Sequence, residues 1–188
     1  MILRVKNIKM IIILFMLTVW FGCQAVASEE RIYIEEGKVG DIAIGMNISS
    51  LMKKYPAGFN KTFIQSEGDQ EPAYIYRFNN GKSIILEVNE EKGRKDTNVI
   101  WLISVDDPYF KTNKGIGVGN TFTEVKKAYP NAAFSATQEE SIGLNENGLW
   151  FSFDISQVKR EWWLQKEKDI SALNNIKVNV ITIFQRPK

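Results

Sequence analysis

Ser50-Leu-Met-Lys53 has the spacing at which a lysine can activate a serine, the S-x-x-K of acyl-serine enzymes. No S-D-N or K-T-G partner occurs elsewhere in the chain, so the pair has no second half. Gly115-Ile-Gly-Val-Gly119 invites a phosphate-loop reading, but a dinucleotide fingerprint needs G-x-G-x-x-G and the spacing here is G-x-G-x-G. A glycine turn entering a helix accounts for it. The carboxylate pairs Glu90-Glu91, Asp106-Asp107 and Glu139-Glu140 are each adjacent in sequence, with no flanking pattern that fixes a separation suited to acid/base work. Asp69-Gln-Glu71 or Asp106-Asp107 could hold a hard cation, but neither lies in anything like an EF-hand loop, and solvated turns are the simpler reading.

The missing residue types exclude more than the present ones propose. There is no histidine, and the one cysteine is Cys23. His-based triads, Cys/His zinc sites and haem ligation through His or Cys therefore have no residues to use. No catalytic residue, metal or cofactor is expected.

Trp162-Trp163-Leu164 is the cluster with the most to offer a partner. It sits among Lys159, Arg160, Glu161, Lys166, Glu167 and Lys168. Adjacent residues on a strand face opposite ways, so both tryptophans cannot easily enter one core. Trp and Arg are enriched at binding hot spots, which makes Trp162, Trp163 and Arg160 the partner-binding candidates. The competing reading puts one Trp in the core and the other over a loop. Trp101 and Trp150 lie within apolar strands and are expected in the core.

The elements that hold these residues come from a chain that says nearly the same thing twice. Asp41-Ile-Ala-Ile-Gly-Met-Asn-Ile-Ser-Ser-Leu-Met-Lys-Lys-Tyr-Pro56 aligns with Gly115-Ile-Gly-Val-Gly-Asn-Thr-Phe-Thr-Glu-Val-Lys-Lys-Ala-Tyr-Pro130. Gly45 then meets Gly119, and Ala43 stands where the later copy has Gly117. Each copy predicts a short strand (Ile42–Ile44, Ile116–Val118), a glycine turn, and a helix capped at Asn47 or by the Thr121/Glu124 capping box. Ile48, Leu51 and Met52, and likewise Phe122 and Val125, fall at helical spacing on one face. Strands are expected at 73–78, 83–88 and 99–105, with Asn79-Asn-Gly81 as a type I′ hairpin turn and 66–71 as a polar loop. Glu146-Asn-Gly148 repeats the turn between a weak strand at 141–144 and one at 149–154, and 176–183 closes the second copy. The fold class is therefore α+β, two tandem units, each a short strand and helix followed by an antiparallel three-stranded meander. The units span 41–110 and 111–188, after a lead-in at 28–40 whose Arg31–Glu35 segment reads as an edge strand.

Residues 1–27 read as an export signal, with basic Arg4, Lys6 and Lys9 before an apolar run from Met10 to Phe21. That run is short of the roughly 20 residues a bilayer span needs. Gly22-Cys23 is placed as lipoprotein processing requires, making Cys23 the lipid-attachment candidate. Ala25-Val-Ala27 offers ordinary cleavage instead, and an uncleaved anchor is the third outcome. Taking the three leader bases from the chain's 24 leaves 21 against 22 acids, so there is no basic excess for nucleic acid.

The pattern of Gly45–Tyr55 and Gly119–Tyr129, with the order of elements after them, resembles the tandem-unit fold of β-lactamase inhibitor proteins. It is also similar to single-unit outer-membrane assembly lipoproteins of the SmpA/OmlA type. The resemblance implies a non-enzymatic protein-binding module. The expectation is thus an exported, lipid-anchored protein-binding module of the bacterial cell envelope, of inhibitor or assembly-partner type, whose partner is a protein. It would touch a membrane only through a lipid on Cys23. A carboxylate-dependent hydrolase or lyase, or a carrier of a small apolar ligand, are the alternatives.

Overall fold

The computed structural model describes residues 31–66, 68–89, 98–137 and 141–184. The export segment, Cys23, Glu90-Glu91 and Glu139-Glu140 lie outside the described residues. The fold is mixed α and β, mostly strands with few helices, in two sheets.

The smaller sheet has four short strands, β1 (Tyr33–Glu35), β2 (Lys38–Val39), β3 (Ile42–Ala43) and β8 (Lys111–Thr112), in the order β3-β2-β1-β8. β1 lies inside this sheet rather than at its edge, because Tyr33 and Ile34 pair in parallel with Lys111 and Thr112. Ile34, Val39 and Ile42 are buried beneath it.

The larger sheet has eight antiparallel strands in the order β4-β5-β6-β7-β12-β11-β10-β9. These are β4 (Phe59–Ser66), β5 (Asp69–Arg77), β6 (Ser83–Asn89) and β7 (Val99–Val105), then β9 (Ala133–Ala136), β10 (Ile142–Glu146), β11 (Leu149–Phe153) and β12 (Val178–Phe184). Each meander has four strands, not the three expected, and β7 pairs with β12 to make one continuous sheet. The missed strands, β4 and β9, are the two edges. An edge strand needs to bury only one side of a few residues, so the apolar alternation that marks a strand is weak there. The 66–71 segment, expected as a loop, is the end of one hairpin, with Ser66 paired to Asp69 across the turn.

The helices α1 (Ile48–Lys54) and α2 (Phe122–Ala128) start where the caps predict. Asn47 Oδ1 accepts from the Ser50 N–H at 3.1 Å. Thr121 Oγ1 accepts from the Glu124 N–H at 3.3 Å, and Glu124 returns the contact by accepting from the Thr121 N–H at 2.7 Å. Both helices end on a tyrosine whose N–H bonds back to the last turn, Tyr55 to Leu51 and Tyr129 to Val125. The two rings then lie on the sheet, Tyr55 against Tyr76 and Tyr129 against Phe151.

The turn before each helix is held by one set of backbone bonds, seen twice. Gly45 donates to Ile100 at 2.7 Å, Ile100 to Met46 at 2.9 Å, and Ile48 to Asn98 at 2.8 Å. Gly119 donates to Val178 at 2.9 Å, Val178 to Asn120 at 2.8 Å, and Phe122 to Ile176 at 2.9 Å. Each glycine has positive φ, +84° and +89°, which L side chains rarely adopt. The strand expected at Ile116–Val118 is absent; that stretch is a loop folded over Lys111, as described below.

The hairpins differ. Asn147 and Gly148 both have positive φ, the two-residue type I′ turn expected. At Asn79-Asn-Gly81 only Gly81 does, and Phe78 and Lys82 close the loop at 2.8 Å. This is a three-residue hairpin with glycine at its left-handed position, not type I′.

One face of the large sheet is the core. Tyr74, Leu86, Ile103, Ile183 and Leu149 form one buried row across five strands, and Tyr76, Ile84, Val105, Ile181, Phe151 and Leu144 include the next. Ile48 and Leu51 of α1, and Phe122 and Val125 of α2, are buried with them.

Candidate binding surfaces

The glycine loop is a closed structure. Lys111 Nζ donates to the Val118 carbonyl and to Asn120 Oδ1, each at 3.3 Å, and Asn120 Oδ1 also accepts from the Gly117 N–H at 2.9 Å. The loop thus turns carbonyl and amide oxygens toward an internal ammonium, the reverse of a phosphate cradle. A Cβ at Gly117 would lie 2.4 Å from the Phe110 carbonyl oxygen, so the glycine is there to let backbone pass backbone.

Ser50 and Lys53 are exposed on α1, and Ser50's N–H belongs to the Asn47 cap. Asp107 ion-pairs with Lys82 at 3.2 Å and accepts from the Tyr109 N–H at 2.8 Å, as a turn carboxylate does. Among the described residues, no group of three or more His, Cys, Asp or Glu side chains is placed to hold a metal ion.

The tryptophan insert is not extended. Arg160–Leu164 is a short helix, α3, followed by a 3₁₀ turn at Ile170–Leu173, so the strand argument for opposite-facing rings does not apply. Trp162 is buried at 3 % exposure, and its indole N–H donates to the Asp169 carbonyl at 2.7 Å. Trp163 is half-buried with its ring edge-on to Trp162, centroids 5.0 Å apart. Lys168 closes the loop by donating to the Trp163 and Gln165 carbonyls. Arg160 is exposed, and so is Leu164, at 77 %. Trp162 therefore pins the insert to the core, while Arg160, Trp163 and Leu164 are the surface it presents.

The residues that sequence reasoning did not single out lie on the second face of the large sheet. Its middle row runs Ile75, Ile85, Ser104, Thr182, Trp150, Asn145 across six strands, every member half-buried. The adjoining row runs Ala73, Glu87, Leu102, Phe184. Trp150 belongs to this face and not to the core. β10 carries glycine beneath it, since a Cβ at Gly143 would fall 2.1 Å from the Trp150 ring. Trp101, also expected in the core, is 37 % exposed. The β6–β7 register shifts beside it, with Val88 opposite Ile100 and Glu87 opposite Leu102, so Trp101 is the extra residue of a bulge.

At the end of that face a cleft of about 490 Å³ opens between the turn before α1 and the end of β12, walled chiefly by Ile44, Trp101, Leu102 and Phe184. Glu87 stands beside it, opposite Leu102. Burial, with Glu71 nearby, pushes its carboxyl above the usual carboxylate range.

This architecture has a solved counterpart. The structure of the uncharacterised protein YfeY from Escherichia coli aligns with a TM-score of 0.55 at 14% identity, over 82% of this chain and 99% of that one. At that identity the likeness is one of fold alone. No family model matches the chain, and no curated protein does. Among the described residues no helix is long and apolar enough to cross a membrane.

Proposed function

We propose that the chain is a duplicated helix-and-meander unit whose joined sheet serves as a docking surface for another protein in the cell envelope. The duplication is supported by the repeated bonds at Gly45 and Gly119 and by the mirrored strand order about the β7–β12 pair. The observation that carries the docking reading is the sheet face itself. Ile75, Ile85, Leu102, Phe184 and Trp150 lie beside Ser104, Thr182 and Asn145 on a face that none of the described helices buries. The aromatic rings of Trp150 and Phe184 are of the residue type that interfaces favour, and the two rows they lie in are uncharged apart from Glu87. On this reading the insert, through Arg160, Trp163 and Leu164, extends the surface beyond the sheet. The protein is then an exported, non-enzymatic binding module of inhibitor or assembly-partner type, tethered by a lipid on Cys23.

A photocrosslinking residue at Ser104, in the centre of the face, tests the docking in the native organism. A discrete crosslinked species from Ser104, absent when the same residue is placed at Lys127 on the exposed side of α2, is expected. Equal labelling from both positions, or none from Ser104, overturns the reading. The anchor has its own test. Cys23→Ala should move the protein from the membrane fraction to the soluble one, and unchanged fractionation rules out a lipid on that residue.

A further inference from the structure

The row of the open sheet face that runs into the cleft carries a charge that the chain does not answer. Glu87 projects from β6 between Ala73 and Leu102, apolar neighbours on either side. Among the described residues no hydrogen bond or ion pair reaches its carboxylate, and the charge nearest in influence is another acid, Glu71. The base on that face of β5 is Arg77, four residues beyond Ala73 and so roughly 13 Å along the strand. Lys61 extends along the other face, its ammonium near the rings of Phe63 and Tyr74. A partly desolvated carboxylate without a partner costs the free protein stability. That cost is repaid when an opposite charge arrives with its own hydrogen-bond donors.

The surroundings narrow what can arrive. Leu102 and Phe184 continue the Glu87 row into the cleft, and Trp101 and Ile44 complete its apolar wall. A cleft walled by an exposed tryptophan, next to a strand pair that carries a carboxylate, suits a side chain with an apolar stem and a cationic head, the guanidinium above all, because a ring's π face and a carboxylate attract the same charge. The geometry points to a protein partner that sets an arginine or lysine side chain against Glu87, with the residue beside it seated in the cleft between Ile44 and Phe184. This rests on the reading of the sheet face as a docking surface and names the chemistry of what docks there.

N-acetylarginine N-methylamide is the probe, titrated into the full-length chain while amide and indole signals are followed by NMR. The expected result is saturable shifts at the Trp101 indole and the Ala73 and Leu102 amides. They should weaken at least about tenfold in Glu87→Gln, as loss of a partly buried charge partner does. The citrulline analogue, equal in shape and uncharged, should leave the same signals unmoved. No saturable shift, equal shifts with citrulline, or arginine shifts that persist unchanged in Glu87→Gln overturn the inference. The two proposals fail separately. A Ser104 crosslink whose yield Glu87→Gln leaves unchanged, with the arginine arm silent, overturns the basic partner and leaves the docking face standing. Absence of the Ser104 crosslink overturns both.

Discussion

Trp150 on β11 occupies the space that a side chain at Gly143 on β10 would need, with ring carbons 2.1 and 2.3 Å from where a Cβ would stand. A glycine inside a strand weakens it unless something uses the room, and here the indole does. Gly143→Ala must push the ring off the sheet face. Overpacking of this kind costs about 1–3 kcal/mol, read as a lower urea midpoint with unchanged slope. In a Trp150→Ala background the same substitution should cost nothing or stabilise, since alanine is the better strand residue once the ring is gone. Additive effects of the two changes would show that the ring is not the obstacle.

Glu87 sets a pH dependence whose sign follows from its environment. Burial and Glu71 raise its carboxyl above the ordinary value in the folded chain. Below the ordinary value both folded and unfolded forms are protonated and Glu87 costs nothing. As pH rises through the ordinary value and on through the raised one, the unfolded chain ionises more readily, and folded stability falls. Glu87→Gln should therefore be more stable than the parent at pH 7 and indistinguishable from it near pH 3.5. A gain that is the same at both pH values would mean that the charge is not its source.

What could be read in advance, and what could not, divides along burial. The helices were legible because their caps are local: Asn47, Thr121 and Glu124 satisfy N–H groups three residues away. Strands β6, β7, β11 and β12 were legible from their dense apolar content. That same density concealed which side of the sheet lies open. Ile84 and Leu86 face the core and Ile85 the open side, and a run of three apolar residues does not say which side is water. Trp101 looked like core for the same reason, because a bulge turns it outward and a bulge is set by the pairing of two strands, which local sequence does not mark. The edges β4 and β9 were lost because their partners lie on one side only. Phe63, 58 % exposed in β4, lacks the full burial that its type suggests.

Trp162 and Leu164 of the insert should separate cleanly. Trp162 is buried and hydrogen-bonded to the Asp169 carbonyl, whereas Leu164 stands in solvent. Removing a buried tryptophan costs about 3–5 kcal/mol, so Trp162→Ala should unfold the chain at much lower urea. Leu164→Ala should fall within about 0.5 kcal/mol of the parent, as surface changes do. If Leu164 lies in the docking surface, its loss weakens the Ser104 crosslink without touching stability. A large stability loss from Leu164→Ala would mean that the insert packs differently.

Gly117 distinguishes the two copies of the repeated turn. The aligned residue in the first copy is Ala43, which β3 accommodates, whereas Gly117 is passed by the Phe110 carbonyl at 2.4 Å from the position of a Cβ. Lys111 also crowds it, with Cδ at 2.5 Å and Nζ at 2.8 Å, but a lysine chain can swing away and a carbonyl fixed beside β8 cannot. Gly117→Ala should thus cost about 1–3 kcal/mol, and most of that cost should survive in a Lys111→Ala background. Ala43→Gly, by contrast, removes only the modest advantage that alanine holds over glycine in ordered backbone, about 0.5–1 kcal/mol. Full relief of the Gly117→Ala cost by Lys111→Ala would place the conflict in the side chain. The glycine would then serve the ammonium that the loop encloses, and the Phe110 backbone would be free to yield.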